Sequence, residues 1–592
     1  MAPRVILGVS SWMVRMRYEP AEKCPPRQAL GAALLIFVPN TISVVLLTTF
    51  VVRASGESDN YLAWATFTGL AITGLSMILH AFPFRYMGSG GLVVTNLNVP
   101  LLAVSVLALA RGGPGLLASL VITTTLLQFL LVSRLASLRR VFTPTVSGVV
   151  IMLVAASAVP FFVDRTISHS QSQSVVVLVP GIVALAAGLW GAVQSSEARR
   201  IWTLPIAVAF GLVVAVPMGL YDADQITEAP WLSITDFEWP VRGLDFGVQF
   251  WSLLPAFLVV KLTAFLKVVG DLSIINRASY RSPVALDFRK IQSGLNLYGA
   301  STLLTGLLAT LPVAAPWSST AVYIGFTGNA ARSVGIYLGL LTLLIAPFAK
   351  IVALLAATPD SVVAAVFIII FGLLFIEGSK AVFTGPMDYR KAVIVGVSMV
   401  LGISAASFGR LSDGILGDLI GNTIIVGGVT AIGMTVATGF RGFWRRRLNV
   451  DLSASSLTDI SVFLEAFASR HGWSGPAKMR LNLAVEEVLL TLLDQSGANG
   501  SDQGRRLSAS VHADGDAAEI ELIVYSREDI EGNIEDQLAL VGDQVSADDA
   551  HQLSTRLLRH FATSVHHRKY YGVDIVTCRV DKYILDSATE RH

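Results

Sequence analysis

Polar residues that could bind a small solute interrupt two long apolar runs of the sequence. One stretch is PWSSTAVYIGFTGNAARSVG (Pro316 to Gly335), and the other is YMGSGGLVVTNLNVP (Tyr86 to Pro100). Gly and Pro disfavour regular helix, and their hydroxyl-rich neighbours and exposed backbone groups can hydrogen-bond a ligand. Inside a membrane, irregular backbone is tolerated only where it is buried in protein or lines a cavity. This pair of interrupted stretches therefore predicts a binding site.

A lysine in the middle of another apolar run is the second chemical signal. Lys261 lies about halfway along the run that begins near Val248, where a lysine costs roughly 2.5 to 3.5 kcal/mol on insertion scales. The next acid, Asp271, is about 15 Å further along a helix, and Lys267 forms an ordinary ion pair of helical spacing with it. Lys267 can also extend to the membrane surface, which Lys261 does poorly. We therefore expect Lys261 to face the substrate cavity, pairing with an anionic or carbonyl-rich ligand or acting as a fixed cation.

The composition indicates which elements must position these groups. Of the 592 residues, 53% are hydrophobic and 15% charged, which is typical of a polytopic membrane protein. A bilayer core needs about 20 apolar residues per helix, and at that length residues 28–440 contain about fourteen segments. Their predicted starts are Ala29, Tyr61, Gly91, Gly113, Thr143, Ser174, Ile201, Val248, Ile291, Trp317, Val334, Ser361, Lys391 and Ile415.

Charges between the segments predict the orientation of the chain. Cytoplasmic loops carry an excess of Lys and Arg, and alternate loops do so here, whereas YDADQITEAPWLSITDFEWPVRGLDF after the seventh segment is acidic. We expect an even number of spans in the plasma or bacterial inner membrane, with both termini in the cytoplasm. Residues 1–27 are basic but lack a long apolar core, so we expect a cytoplasmic segment rather than a cleaved signal.

In two cases a segment resembles the segment that lies seven positions later in the chain. Segments three and ten both carry the interrupted stretches, and segments five and twelve begin with FTPTVSGVV and ATPDSVVAA, each with Thr-Pro before its apolar run. Seven segments per half invert the second half relative to the first, so segments three and ten would meet near the midplane from opposite sides. For any one stretch, close helix packing through Gly and Ser is the alternative.

Six motifs in these segments are YMGSGG, FTPTVSGVVIML, VGDLSIINR, LDFRKIQSGLNLYGASTLLTGLLATLP, IGFTGNAARSVG and PFAKIVALLAATPDSVVAAVFIIIFGLLFIEG. Together they resemble the nucleobase/ascorbate transporter family, which includes the xanthine and uracil permeases. The resemblance covers most of residues 28–438. It implies a core domain of segments one to four and eight to eleven, a gate domain of the remaining segments, and a homodimer. Segments three and ten would each supply a short strand and a half-helix, with the small-molecule substrate between these strands and segment eight.

The resemblance also implies binding residues, with departures from the family pattern. With the pattern Val-Glu-Thr-Thr-Gly-Asp placed over VKLTAF, Lys261 stands at the acid position, and in segment ten Val322 stands at an acid or amide and Tyr323 at an Asn. Both usual carboxylates would then be absent, and transport need not use Na⁺ or H⁺. The substrate is expected to be nucleobase-like or anionic. The expected binding residues are Lys261, Phe265, Ser318, Ser319, Thr320, Ala321, Val322, Tyr323, Gly90, Gly91 and Asn40, the last of which could equally make only a helix-helix hydrogen bond.

After a basic linker (441–450), residues 451–592 have the charge and periodicity of a cytoplasmic α+β sandwich. SSLTDISVFLEAFASRHGW and AKMRLNLAVEEVLLTLLDQ are predicted helices, and RLSASVHAD, AAEIELIVYS and DIVTCRVDKYIL are predicted strands. HQLSTRLLRHFATSVHHRK is predicted as a helix before the last strand, with HHRK as a solvated basic turn.

The order of these elements resembles the histidine-kinase-like ATPase domain of anti-sigma-factor kinases. Glu487 matches the acid of that family, but Thr491 replaces its Mg²⁺-binding Asn, and YSREDIEGN lacks the Asp-x-Gly-x-Gly motif. We therefore expect a nonhydrolysing, regulatory domain without cofactor or metal. ATP binding near Glu487 and Thr491 is the one open option.

Charge and cysteine content exclude other classes. A formal net charge of +2 is too small to suggest nucleic acid, and Cys24 and Cys578 cannot build a disulfide framework or thiolate metal site within one chain. The leading interpretation is a secondary-active or facilitative transporter with a regulatory tail, not an enzyme. The alternative is a transporter-derived receptor that signals through the tail to a cytoplasmic protein. An active serine kinase in the tail is a weaker third interpretation.

Overall fold

The membrane part of the chain consists of helices with one pair of short strands between them. The computed structural model describes residues 17–84, 86–132, 143–170, 175–221, 226–227, 230–232, 243–281, 287–383, 387, 389–409, 414–443, 446–453, 456–497, 506–514, 517–525, 557–558, 560–570 and 573–582. The elements up to residue 443 are α1 (Pro26–Ser55), α2 (Asp59–Ala81), β1 (Thr95–Asn96), α3 (Val99–Val132), α4 (Pro144–Ser170), α5 (Val179–Ala192), α6 (Glu197–Arg200), α7 (Thr203–Ala215), α8 (Val248–Ala278), α9 (Phe288–Leu307), β2 (Ala315–Pro316), α10 (Ser319–Thr327), α11 (Arg332–Ile345), α12 (Ala349–Ala356), α13 (Asp360–Val382), α14 (Tyr389–Phe408), α15 (Gly414–Gly421) and α16 (Thr423–Phe443), with a 3₁₀ turn at Val175–Leu178.

Several of these helices have the length and composition of membrane spans. Within the described residues, 6 helices are long and apolar enough to cross a bilayer, namely α1, α2, α3, α8, α13 and α14. Shorter apolar stretches lie in α4, α5, α7, α11 and α16. The structure therefore agrees with the sequence-based prediction of a mostly helical, polytopic membrane protein. The number of about fourteen spans and the cytoplasmic location of the termini stay predictions.

Helix α3 contains the change of direction between predicted segments three and four. Gly113 has a φ of 66° and a ψ of −164°, which is not helical, and Pro114 follows it. A positive φ is accessible to Gly because it has no Cβ, and Pro is well suited to a first helical turn. The first part of α3 is therefore a half-helix that begins at Val99.

The short strands predicted for segments three and ten are present and pair with each other. β1 and β2 are antiparallel, with Thr95 opposite Pro316 and Asn96 opposite Ala315. Two backbone hydrogen bonds extend the pairing, from the Trp317 amide to the Val94 carbonyl at 3.0 Å and from the Asn98 amide to the Pro312 carbonyl at 2.9 Å. These bonds satisfy backbone groups that have no water to bind at this depth.

Glycines let two pairs of long helices approach closely. Gly74 of α2 faces Gly339 of α11, and Gly148 of α4 faces Gly378 of α13; in each case a Cβ would lie within 3.0 Å of the partner's carbonyl oxygen. In a bilayer, helices associate mainly through such close packing because lipid is as apolar as their side chains. The first pair joins helices of the predicted core domain, and the second joins helices of the predicted gate domain.

The C-terminal part is an α+β domain with a five-stranded sheet. It contains β3 (Arg446–Asp451), α17 (Ser456–Arg470), α18 (Gly475–Gly497), β4 (Arg506–Asp514), β5 (Ala517–Tyr525), β6 (Ser564–Tyr570) and β7 (Val573–Asp581). The strand order is β3-β4-β5-β7-β6, and each neighbouring pair is antiparallel. The two helices contribute Leu464 and Leu481 to the same buried cluster as Leu522 and Val576 of the sheet. Both helices and strands β4, β5 and β7 lie where the sequence predicted them.

Two predictions for this domain are wrong. The segment SVHHRK is part of strand β6 rather than a helix end and a turn, because Val565 and His567 are buried while His566 between them is exposed, which is the period of a strand. The predicted linker, 441–450, is helix up to Phe443 and strand from Arg446. Its Leu448 and Val450 pack against the core of the domain.

The contact between α2 and α11 generates a prediction for stability. A Cβ at position 339 would lie 2.5 Å from the Gly74 carbonyl oxygen and 2.6 Å from Cγ1 of Ile78. We expect Gly339→Ala to destabilise the fold by about 1–3 kcal/mol, the usual effect of overpacking, measured as a lower midpoint of thermal unfolding in detergent. The control is Gly372→Ala, where a Cβ meets nothing within 4 Å. Equal midpoints for the two variants would contradict the close packing.

Candidate functional site

Two helix N-termini converge on the strand pair. α3 begins at Val99, shortly after β1, and α10 begins at Ser319, shortly after β2. The first N–H groups of a helix have no partner within the helix, and this end carries the positive end of the helix dipole. Helix α8 packs against α3, β2 and α10. The arrangement offers hydrogen-bond donors and positive potential in one region, between elements that the sequence predicted would meet.

Thr320 connects α10 to the approach to β1. Its hydroxyl accepts a hydrogen bond from the Val94 amide at 3.0 Å and donates one to the Trp317 carbonyl at 2.7 Å. The neighbouring Ser319 hydroxyl is buried and has no hydrogen-bond partner among the described residues. Of this pair of predicted site residues, Thr320 therefore stabilises the strand pair, and contact between Ser319 and a ligand stays a prediction.

Asn40 of α1 makes the hydrogen bonds of a structural residue. Its Oδ1 accepts from Nδ2 of Asn96 at 2.8 Å, and its own Nδ2 donates to the Thr95 carbonyl at 3.4 Å. Asn40 follows Pro39, which lies inside α1. The hydrogen bonds of Asn40 thus run from a helix to a strand rather than between two helices, and they attach β1 to α1. Contact between Asn40 and a substrate stays a prediction.

Lys261 is fully buried beside Tyr298 of α9. Its side chain is 1% exposed, its Nζ donates to the Tyr298 hydroxyl at 3.4 Å, and it lies 4.8 Å from the centre of that ring. Nδ2 of Asn98, just before α3, donates to the same hydroxyl at 2.6 Å. Within the described part of the chain, no carboxylate forms an ion pair with Lys261. The ammonium is stabilised by a ring face and lies inside the predicted core domain.

Lys267 points to a different neighbour. It is six residues after Lys261, about 240° around the helix axis, and its Nζ lies 2.9 Å from Oδ2 of Asp271 and 3.3 Å from Oε2 of Glu377. The pair with Asp271 was predicted from spacing. The contact with Glu377 was not, because Glu377 belongs to α13 and is more than a hundred residues away.

The family pattern can also be placed six residues further along the sequence. Placed with its Gly-Asp on Gly270 and Asp271, the pattern Val-Glu-Thr-Thr-Gly-Asp puts its acid at Lys267 rather than Lys261. This placement retains both Gly and Asp, whereas the earlier one retains neither. Sequence reasoning could have placed Lys267 at the acid position of the pattern by counting back from Gly270. The contact predicted between Lys261 and a substrate stays a prediction.

Ser318 and the buried aromatic residues lie next to the same part of α8. The Ser318 hydroxyl is close to the Asp271 carboxylate. Phe265 and Tyr323 are buried in one apolar cluster at 0% and 5% exposure, and Ala321 and Val322 are half-buried on α10. Phe265 thus shares a cluster with Tyr323, and Ser318 lies near Asp271, while the contact of all these residues with a ligand stays a prediction.

Gly90 and Gly91 lie elsewhere, in the stretch that approaches β1. Their amides both donate to the His80 carbonyl, at 2.9 and 3.3 Å. They border a small crevice on the predicted cytoplasmic side that is also lined by Pro20, Tyr280 and Lys290, and Lys261 is not part of its lining. These glycines therefore shape a different surface from the one around the strand pair.

In the C-terminal domain, Glu487 and Thr491 are one turn apart on α18. The Thr491 hydroxyl donates to the Glu487 carbonyl at 2.7 Å, and YSREDIEGN beyond Tyr525 lies outside the described residues. In the described ranges, no group of His, Cys, Asp and Glu could hold a metal ion. ATP binding near Glu487 and Thr491 stays a prediction.

Strand β6 of this domain contacts the membrane part. The ring of His567 lies 5.4 Å from the ring of Phe288 at the start of α9, at 69° to it. Nε2 of His567 lies 3.3 Å from Oδ1 of Asp574 in β7, and both side chains are fully buried. The exposed face predicted for HHRK is thus partly an internal contact, because β6 places His567 against Phe288.

Comparison with known proteins covers the membrane part of the chain. Xanthine permease XanP of Escherichia coli is 24% identical over 442 residues, which is 70% of this chain and 93% of XanP. A protein of Clostridium perfringens, provisionally named purine permease CPE0397, is 25% identical over 300 residues, 49% of this chain and 63% of that protein. The solved transmembrane domain of a cyanobacterial bicarbonate transporter, BicA, matches with a TM-score of 0.44 and 14% identity, covering 69% of this chain and 99% of that one.

A family model extends this similarity over most of the chain. The model of the Permease family, Xan_ur_permease, matches residues 27–410, a range that contains β1, β2, α8 and both lysines described above. Its members are permeases rather than enzymes, in agreement with the absence of enzymatic activity predicted from the sequence. The resemblance that the sequence motifs indicated is therefore confirmed for the membrane part, and the chain belongs to the Xan_ur_permease family of membrane permeases.

Proposed function

We propose that the protein transports an oxopurine base, such as xanthine, across the plasma membrane, and that the base binds between β1, β2 and the middle of α8. The observation that carries this proposal is the convergence of the N-termini of α3 and α10 on the strand pair. The positive ends of the two helix dipoles and the Ser319 hydroxyl suit the carbonyl groups of an oxopurine. Membership of the permease family and the names of the relatives support the same substrate class.

The charge of the site favours an acidic base over a basic one. Two helix N-termini and Lys261 contribute positive potential, and the nearby Asp271 is paired with Lys267. Xanthine loses a proton more readily than adenine does, so its partial negative charge gains more from this potential. On this proposal Lys261 acts through its charge, and Tyr298 and Asn98 hold it at the base of the site.

Transport would proceed by movement of the core domain against the gate domain. Two ion pairs join the two domains at opposite ends of α13, Arg53 with Asp360 at its start and Lys267 with Glu377 near its end. Arg53 also donates to the Thr358 carbonyl at 3.2 Å. Because these pairs lie at different ends of the helices, movement that breaks one pair can leave the other intact, as alternating access requires.

Uptake of radiolabelled xanthine into proteoliposomes tests the transport function. We expect saturable uptake by the full chain, competed by uric acid more strongly than by adenine. Lys261→Ala should reduce uptake by about tenfold or more, since the loss of a buried charge interaction of about 1.4 kcal/mol corresponds to this factor. Lys23→Ala, which removes an exposed lysine, is the matched control and should behave as the wild type.

Two results would oppose this proposal. Unchanged uptake by Lys261→Ala at equal folded protein would remove Lys261 from the site. Binding of xanthine without any uptake would instead favour the receptor alternative, in which the membrane part senses a ligand.

We further propose that the C-terminal domain regulates transport through the contact between His567 and Phe288. The contact joins β6 to the start of α9, next to Lys290 and Ile291, which line the crevice with Gly91. A change in the domain can thus reach the predicted cytoplasmic surface of the core domain. A dimer and a cytoplasmic protein partner stay predictions.

A double-mutant cycle on uptake rate tests this regulation in the full chain. Phe288→Ala and His567→Gln should each change the rate in the same direction, and the double variant should show no further change, because contacting residues are not additive. Phe383→Ala, at an exposed phenylalanine, is the control and should leave the rate unchanged. Additive effects of the two substitutions would show that the contact does not carry the regulation.

A further inference from the structure

The ammonium of Lys267 lies between carboxylates of two different domains. Its Nζ is 2.9 Å from Oδ2 of Asp271, on its own helix, and 3.3 Å from Oε2 of Glu377, on α13. The side chains of Lys267 and Asp271 are 20% and 8% exposed, and that of Glu377 is 44% exposed. The group therefore lies at the boundary between the core and gate domains, with Lys267 and Asp271 largely shielded from solvent and Glu377 at the exposed edge.

The cluster carries one positive charge for two negative charges. A shielded carboxylate such as Asp271 is destabilised by a second carboxylate nearby unless a cation lies between the two. The Ser318 hydroxyl, at the start of α10, lies close to Asp271 and adds a further oxygen. Carboxylate and hydroxyl oxygens are what a small hard cation binds. Lys267 thus occupies a position that its neighbours would otherwise offer to a diffusible cation.

We propose that Lys267 is a tethered cation that replaces a coupling ion, so that transport by this chain does not depend on an Na⁺ or H⁺ gradient. The proposal rests on the transport function proposed above. Lys267 and Asp271 are on one helix and move together, so their charges stay balanced throughout the cycle. The Lys267–Glu377 contact breaks and reforms as the domains move, without a cation entering or leaving.

Neither Lys261 nor the ion pair of Arg53 with Asp360 is suited to act as the tethered cation. Lys261 has no carboxylate partner among the described residues, and its hydrogen bond goes to Tyr298 of the core domain. Arg53 and Asp360 pair at 3.2 Å, but their side chains are 27% and 54% exposed, and exposed pairs are weak and screened by salt.

The first test compares xanthine uptake by the full chain in NaCl and in choline chloride, and at two pH values. The rate of xanthine uptake by the wild type should differ by less than about twofold between these conditions. Lys267→Gln should be slow in choline and be stimulated about tenfold by Na⁺ or by a lower pH, since occupancy of the vacated site follows mass action. Lys267→Arg keeps the charge and should remain independent of the cation. Lys23→Gln is the matched control and should behave as the wild type.

Removal of the second carboxylate sharpens this test. In Lys267→Gln combined with Glu377→Gln, one carboxylate remains, and the stimulation by the cation should fall back to within about twofold. A wild-type protein whose uptake drops about tenfold without an Na⁺ or proton gradient would overturn the proposal. So would a folded Lys267→Gln variant that no cation affects.

A second measurement tests for the cation site at Lys267 without measuring transport. The midpoint of thermal unfolding of purified Lys267→Gln should rise with NaCl relative to choline chloride, or with lower pH, because a ligand that binds the folded state stabilises it. The wild type and Lys267→Arg should show no such difference. If the wild type does not move xanthine, the transport function fails while this arm still tests the cation site. An unchanged midpoint for Lys267→Gln in all conditions would overturn the proposal.

Discussion

The pairing of β1 with β2 is the interaction on which the rest of the membrane part depends. At this depth no water can satisfy free backbone groups, so two short strands must bond to each other before their half-helices can start inside the protein. Thr95 and Asn96 pair with Pro316 and Ala315. Asn40 and Thr320 attach the pair to α1 and α10. The same constraint leaves two helix N-termini facing one region, which makes the strand pair both a structural joint and the candidate site.

The two lysines of α8 illustrate how helical phase decides the role of a residue. Lys261 and Lys267 are similar in sequence context, and both lie in a long apolar helix. Because they are on different faces, Lys261 contacts Tyr298 of α9 and Lys267 contacts Glu377 of α13. On the functions proposed above, Lys261 would change the potential of the site, whereas Lys267 would take part in domain movement.

The C-terminal domain shows where periodicity is a weak guide. The apolar positions of α17, α18 and β5 predict their structures correctly, since each is long and regular. The segment around His566 was predicted as the end of a helix, yet it pairs with β7. Short segments with basic residues fit either structure, and the partner strand decides. Its contact with Phe288 depends on the relative position of two parts of the chain, on which periodicity has no bearing.

The sequence by itself determined the membrane class, the interrupted stretches and the family, because these follow from apolar length, Gly and Pro positions, and the order of motifs; the short strands were implied by the family resemblance. It also determined the helical pair of Lys267 with Asp271, since four residues place two side chains on one helix face. Only the tertiary structure decided that Asn40 holds β1, that Lys261 faces Tyr298, and that Glu377 completes the cluster around Lys267. Such contacts join residues far apart in the chain, and their distances depend on how the helices pack rather than on any local pattern.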